Sequence, residues 1–525
     1  TIMSISKEAL SLLAFLMATF MAPATGFAQF NWPYHIEKGQ AVTDVPQREA
    51  GQKNVLNLTT PKMNVVRVGF VGLGMRGPGA VERWTYINGT QIMALCDHEK
   101  ERAERCNGIL EKASLPPADI YYGEDGYKKL CERKDIDLVY IATDWLHHFI
   151  VAKYALEHGK NVAIEVPSAM NLDEIWQLIN LSEKKRLHVM MLENCCYDFF
   201  ELNTLNMAQH GVFGEVEYVQ GAYRHDLSPF WDAYWKKDVN DKLGWRLDYN
   251  QKFRGDVYAT HGLGPIAQDL DIHRGDRMKT LVAMDTKSVN GKAWVEKMSG
   301  QKCDKFANGD HTVTLISTEN GKVIEVQHNT MTPEPYNRMY QVVGTKGFAN
   351  KYPIEGYALS SAQMKASGVQ PTQEMSGHDY MGKADFDALV AKYRSPIVTK
   401  YEAMAKKVGG HGGMDFIMDS RLVYCLQHGL PLDMDVYDLA EWCCLAELGS
   451  ISMNNGNIPV QVPDFTRGAW NEQKGYRHAF ASKEEEEAVD KASEEFTAKL
   501  KEKGAKYWKK HATKKADGKS HQMGL

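Results

Sequence analysis

No two cysteines of this chain are spaced C-x-x-C, which removes the commonest zinc and thiol-redox motifs. The nine cysteines are scattered, and an odd number argues against a closed disulfide framework. Most sit inside apolar runs, where a free thiol behaves as a small hydrophobe, and no metal site is expected. An excess of one charge is also missing. With 62 Lys and Arg against 67 Asp and Glu, the net charge is −5, which offers little to a nucleic-acid backbone. The apolar run near the start, Ala9 to Met21, is too short to span a bilayer comfortably, and no membrane span is expected. It follows Lys7 and leads to Gly26 and Ala28, which fit the −3 and −1 positions of a cleavage site. That is the shape of a signal peptide over residues 1–28, with cleavage near Ala28 and export to the periplasm or beyond; a buried N-terminal helix is the alternative. No cysteine stands at the cut to carry a lipid. An oxidising compartment would permit one or two disulfides, whose pairing the sequence does not give.

What is present is a dinucleotide fingerprint. Residues 65–80 read V-V-R-V-G-F-V-G-L-G-M-R-G-P-G-A, with an acidic residue, Asp97, about 20 positions beyond the turn. Gly72 permits the tight turn, Gly74 lets backbone approach a pyrophosphate, and Gly77 lets helix and strand pack closely. The helix that follows turns its unpaired N–H groups and positive dipole end to the phosphates. Asp97 suits the ribose hydroxyls, which favours NAD over NADP.

At 525 residues the chain exceeds one core, and two domains with extensions are expected. A turn-rich arm, 29–61, leads into the first. Strands are expected at 65–71, 90–96, 136–142, 161–165 and 187–192, with helices at 79–87, 147–158 and 171–185. That alternation implies a parallel sheet covered on both faces, a Rossmann domain over 62–195. Over 196–470 the rhythm changes. A helix at about 199–210 is followed by strand-like runs at 215–222, 282–290, 311–318, 322–329 and 339–343, with T-E-N-G-K (318–322) as a hairpin turn. Such strands imply an antiparallel sheet; helices return at 381–450, and 456–465 is extended. The tail, 471–525, is charged; from Ser482 it reads as a solvated helix or a disordered segment, with Ser482 and Glu485 as a capping box. The fold class is α/β throughout.

The combination resembles the Gfo/Idh/MocA oxidoreductase superfamily, in which a Rossmann domain precedes an α/β domain with an open, mainly antiparallel sheet carrying the substrate. Within it the chain is similar to one branch, the NAD-dependent N-acetylgalactosaminidases of glycoside hydrolase family 109. The superfamily's E-K-P is here Glu165-Val166-Pro167, without the lysine that many of its dehydrogenases use. The segments W-L-H-H (145–148), Y-A-T-H-G-L-G-P (258–265), P-Y-N-R (335–338), H-G-G-M-D (411–415) and V-P-D-F-T-R-G (462–468) carry the likeness to the branch.

The resemblance implies NAD as cofactor, with Gly72, Gly74, Met75, Arg76, Gly77, Asp97, Trp145, His148, Glu165, Val166 and Asn194 around it. Some of these have plain structural readings too: Arg76 as a surface cap, Trp145 as a core cover, His147 and His148 as the start of a helix, Glu165 as a salt-bridged rim carboxylate. Tyr258 and His261 are the catalytic candidates. On a turn of helix their spacing shares a face, and an imidazole titrates near neutrality; which acts at which sugar carbon stays open. The loop around them, with glycine at both ends, reads as flexible. Tyr223, Arg246, Tyr258, Ala259, Thr260, His261 and Tyr336 match the branch's substrate contacts, with His411 a weaker candidate. Phe230, Trp231, Tyr234, Trp235 and Trp245 are as consistent with core as with a sugar platform.

The resemblance implies a redox-neutral hydrolysis: transient oxidation at C3 of terminal, α-linked N-acetylgalactosamine, elimination across C2 and C1, water addition and re-reduction. Two alternatives are an NAD-dependent sugar dehydrogenase forming 3-keto glycosides and a non-catalytic nucleotide-dependent sugar-binding protein. The expected partner is a small glycoside or glycan, with a homo-oligomer possible.

Overall fold

The computed structural model describes residues 30–228 and 244–520, with side chains to residue 512. The expected signal peptide and the aromatic residues Phe230, Trp231, Tyr234 and Trp235 lie outside the described residues.

The arm opens with a hairpin, β1 (Tyr34–Glu37) and β2 (Gln40–Thr43). Six strands then build the first domain: β3 (Val66–Val71), β4 (Thr90–Asp97), β5 (Asp119–Tyr122), β6 (Leu138–Ile141), β7 (Asn161–Ile164) and β8 (Val189–Met191). All pair in parallel, in the order β5-β4-β3-β6-β7-β8. The order reverses between β3 and β6, so the crevice at their carboxyl ends is where such sheets bind ligands. β5 and the helices Lys100–Lys112 and Gly126–Cys131 were not foreseen. β5 is a short edge strand, D-I-Y-Y, with no buried residue, so it carries no apolar alternation to read.

The second domain contains β9 (Val216–Arg224), β10 (Met278–Asp285), β11 (Thr312–Thr318), β12 (Val323–Asn329), β13 (Gln341–Gly344), β14 (Gly347–Asn350), β15 (Gly356–Leu359) and β16 (Val460–Gln461). Its sheet runs β1-β2-β16-β10-β11-β12-β9-β13-β14-β15, antiparallel except where β16 meets β2 and β12 meets β9. The hairpin at 318–322 turns between β11 and β12, with Gly321 at φ +81°. The arm therefore does more than lead into the first domain, because β2 extends the second domain's sheet. Beyond β15 come helices, among them Met414–His428, every residue of which is buried. All nine cysteines are free and buried.

One carboxylate ties arm, first domain and second domain together. Glu183, buried on the helix Leu172–Lys185, accepts from Arg48 (2.9 and 3.0 Å), Gln52 (2.6 Å), Tyr437 (2.5 Å) and Arg467 (2.8 Å). Burial works to raise its pKa, but Arg48, Tyr437, Gln52 and Arg467 outweigh it, and the net shift is downward.

The tail is not a solvated appendage. Its helix, Lys483–Ser520, docks on the first domain: Thr497 Oγ1 accepts from the Gly89 amide (3.0 Å) and the Trp508 indole donates to the Leu115 carbonyl (2.6 Å). A Cβ on Gly504 would stand 2.2 Å from the Ser114 carbonyl oxygen. The charged sequence hid a narrow apolar and small-residue stripe that includes Leu500 and Gly504.

Glu183→Ala strips the half-buried cations Arg48 and Arg467 of their shared, fully buried partner. We expect a loss of about 3–5 kcal/mol, read as a lower urea midpoint; an unchanged midpoint would show that this junction bears no weight.

Candidate functional site

The crevice begins where β3 ends. Gly72 has φ +92°, and a Cβ there would lie 2.5 Å from backbone atoms of Ala142 and Thr143, beyond β6. A Cβ on Gly77 would meet the Gly72 carbonyl oxygen at 2.1 Å. Both glycines are thus required by the turn's own packing. Gly74 differs: its nearest neighbour would be Arg102 Nη1 at 3.6 Å, which leaves room for a pyrophosphate against the backbone. The helix Gly77–Trp84 has Pro78 in its first turn and no side-chain cap, so its other first-turn amides remain for an anion. The turn fits the NAD that this Rossmann domain binds.

Asp97, the acid expected at the ribose, braces the turn: its Oδ2 accepts from the Leu73 amide (2.6 Å) and its Oδ1 from the Glu99 amide (3.0 Å). Met75 is exposed. Arg76 is no surface cap: its guanidinium lies 3.4 Å from Glu165 and 3.4 Å from Asp415 of the second domain.

The other strand ends supply the crevice wall. Trp145, buried, begins the helix Trp145–Glu157, and the Arg246 guanidinium lies 4.8 Å from its ring centre. Trp245, whose role was open between core and platform, packs edge-on against Trp145 at 4.8 Å. His148 turns away from the crevice. Its Nδ1 lies 2.8 Å from the Pro167 carbonyl and its Nε2 3.0 Å from the Thr143 carbonyl, while burial lowers its pKa. It laces the β6 and β7 loops together, with both ring nitrogens against backbone carbonyls. His147 is exposed and pairs with Asp144 (2.8 Å). Val166 is buried, and Glu165 Oε1 is buried without a hydrogen bond.

Asn194, past β8, donates to Asp415 Oδ1 (2.6 Å), and His411 Nδ1 lies 2.8 Å from Asp415 Oδ2. Burial would raise the Asp415 pKa, but His411, Arg76 and Arg83 hold it well below the usual carboxylate range. His411 thus stands beside the nucleotide turn.

The segment Y-A-T-H-G-L-G-P is packed, not flexible, and its glycines are there for close approach. A Cβ on Gly262 would lie 2.5 Å from the Ala222 amide nitrogen of β9, and one on Gly264 would lie 2.9 Å from Glu193 Cγ. The helix Thr260–Asp269 therefore lies directly on β9, with Ala259 and Thr260 buried at its start. That contact brings Tyr223 of β9 to 4.8 Å from Tyr258 and 5.0 Å from His261, ring centre to ring centre, while Tyr258 and His261 are 4.9 Å apart. The Tyr258 ring lies 5.7 Å from Trp145, and the Arg246 guanidinium 5.0 Å from Tyr258. Tyr336 is partly exposed at the rim, edge-on to His225 at 4.9 Å.

Two residues escaped the sequence reading. Glu193 Oε1 lies 2.6 Å from His261 Nδ1; burial pushes its pKa up, yet His261 and Thr260 outweigh that and the net shift is down. His225 Nδ1 lies 2.9 Å from the Tyr223 hydroxyl, and burial, helped by Arg246, lowers its pKa to about 4. His225 was within reach of sequence logic, since it follows Tyr223 by two, whereas Glu193 stands at a strand end with its partner far along the chain.

Residues 197–472 match the family model described as Glycosyl hydrolase 109, C-terminal domain, and residues 66–193 match the NAD-binding Rossmann fold of the oxidoreductase family. Glycosyl hydrolase family 109 protein 5 of Phocaeicola vulgatus is 72% identical over 92% of this chain and 93% of its own. Glycosyl hydrolase family 109 protein 1 of Bacteroides thetaiotaomicron is 63% identical over 83% of this chain and 92% of its own. Among solved structures, a levoglucosan dehydrogenase in complex with NADH and L-sorbose gives a TM-score of 0.54 at 18% identity, covering 76% of this chain and 100% of that one. An NAD-binding oxidoreductase from Klebsiella pneumoniae gives 0.53 at 14%, with the same coverage. These two likenesses are of fold.

Asp256 braces the turn that carries Tyr258, accepting from its amide (3.1 Å) while Oδ2 is buried without a partner. Burial raises its pKa to about 7, above the value in an unfolded chain, so ionisation costs folded-state stability as pH rises from about 4 to 7. Asp256→Asn keeps the acceptor and removes the titration. Its stability relative to wild type should increase by a few kcal/mol, about 2–4, between pH 4 and pH 8; a pH-independent difference in urea midpoints would refute this.

Proposed function

The chain belongs to glycosyl hydrolase family 109, and from that premise we propose that it removes a terminal, α-linked N-acetylgalactosamine without net oxidation or reduction. One observation carries the reading: the nucleotide crevice and an acid–base pair share one wall, since Tyr258 packs between Trp145 and His261. A glycosidase built on two carboxylates would need a pair of them flanking the sugar, whereas the groups gathered here are a phenol, an imidazole and a guanidinium.

Bound NAD supplies reversible hydride exchange at a sugar carbon, which acidifies the hydrogen on the carbon beside it. The chain's own residues supply the rest. Burial holds the Tyr258 phenol well above its ordinary pKa, against the pull of Arg246, so it keeps its proton and is suited to donate. His261, paired to a carboxylate on one ring nitrogen, accepts a proton on the other. Arg246 is suited to hydroxyl or acetamido oxygens, and the Tyr223 and Tyr336 rings to a sugar face. Val166, buried where a dehydrogenase of the superfamily carries lysine, leaves no ammonium there. The apolar run Ala9–Met21 supports export, where a cofactor kept through each cycle needs no soluble pool.

Purified protein should carry bound NAD and release sugar from a chromogenic α-N-acetylgalactosaminide without accumulating NADH. In D₂O the released sugar should carry deuterium at C2. His261→Ala with Tyr258→Phe should lower turnover by at least about 10²-fold. Stoichiometric NADH from a free sugar would replace this reading with that of a dehydrogenase.

A further inference from the structure

We propose that Glu193, a residue of the nucleotide domain, is the positioning residue that sets the tautomer of His261 across the domain boundary, leaving Nε2 as the proton acceptor at the sugar. The inference rests on the functional reading above for what the acceptor is used on, but not for the tautomer itself.

Glu193 is fully buried, and its Oε1 lies 2.6 Å from His261 Nδ1. The same oxygen accepts from the Cys195 amide at 3.1 Å, which fixes the carboxyl plane. An ionised carboxylate can only accept, so the proton between the two residues belongs to Nδ1. Nε2, on the opposite edge of the ring, has no hydrogen-bond partner among the described residues. The surroundings leave no rival for Nδ1. Tyr223 of β9 and Tyr258 of the preceding turn meet the imidazole edge-on, and the hydroxyl of Tyr223 is engaged with His225.

The pair also depends on both domains. Glu193 lies just past β8, whereas His261 sits on the helix that lies against β9. Gly264, one turn along that helix, leaves the space that the Glu193 side chain occupies. A carboxylate in this dry place does two things for an imidazole: it holds the ring, and it stabilises the imidazolium formed when Nε2 takes a proton.

The test is nitrogen NMR of the full chain with bound cofactor, labelled at histidine, with the His261 signals assigned by their loss in His261→Ala. In wild type we expect protonated Nδ1 and unprotonated Nε2 above neutral pH; the opposite tautomer overturns the proposal without any variant. Glu193→Gln keeps the shape but can also donate, so the tautomers should mix, and kcat should fall about 10²-fold or more with KM within about threefold. Glu193→Asp, which keeps the charge, should restore the wild-type tautomer and part of kcat. Retention of a single Nδ1–H tautomer and of full kcat in Glu193→Gln overturns the proposal. A protein that cleaves no N-acetylgalactosaminide yet shows the tautomer lost in Glu193→Gln overturns the functional reading and upholds the role of Glu193.

Discussion

A carboxylate sealed between two domains is the constraint on which this molecule turns. Asp415 is 1% exposed and belongs to the second domain, yet its partners Arg76, Arg83 and Asn194 come from the first. Desolvating such a charge costs several kcal/mol unless every partner is present. The domains are therefore locked in the one relative placement that satisfies it. That placement brings Arg76, and with it the glycine turn, against His411, and lays the helix Thr260–Asp269 across the end of β8.

Glu183 and Glu193 repeat the device on either side. Each is a buried acid on the first domain whose partners come from sequence far away: Arg48, Tyr437 and Arg467 for one, His261 for the other. The active crevice is consequently a joint product. One wall is strand ends of a parallel sheet, the other a helix pressed on a mainly antiparallel one, and neither domain alone assembles Trp145, Tyr258 and His261.

How much of this the sequence discloses depends on how local the cause is. The glycine turn is legible because Gly72, Gly74 and Gly77 act within a few residues of one another, and the parallel strands follow from their apolar runs. β5 was missed because an exposed edge strand has no pattern. The glycines of Y-A-T-H-G-L-G-P were seen but misread as hinges: whether a glycine confers freedom or permits contact depends on a neighbour, here Ala222 or Glu193, that lies elsewhere in the chain. The tail helix was misjudged for a similar reason, since most of its residues are charged and its docking stripe is narrow. Glu193 was missed because its partner lies 68 residues on; an acid at a strand end declares no function until the imidazole arrives.

The same geometry explains the valine in Glu165-Val166-Pro167. Val166 is 7% exposed and packed into the hydrophobic core, and an ammonium there would need a carboxylate to offset its desolvation. The neighbouring carboxylate, Glu165, already faces Arg76, whose other partner is Asp415. A lysine at 166 would compete with Arg76 for Glu165, and would loosen the contact holding the nucleotide turn to the second domain. Under the proposed function, proton transfer falls to groups from the other side of the crevice. Of these His225, lowered to about 4 by burial, is neutral at physiological pH, and its Nδ1 is engaged with Tyr223. What is left is a phenol kept protonated by burial and an imidazole held by a carboxylate, one donor and one acceptor on a single turn of chain.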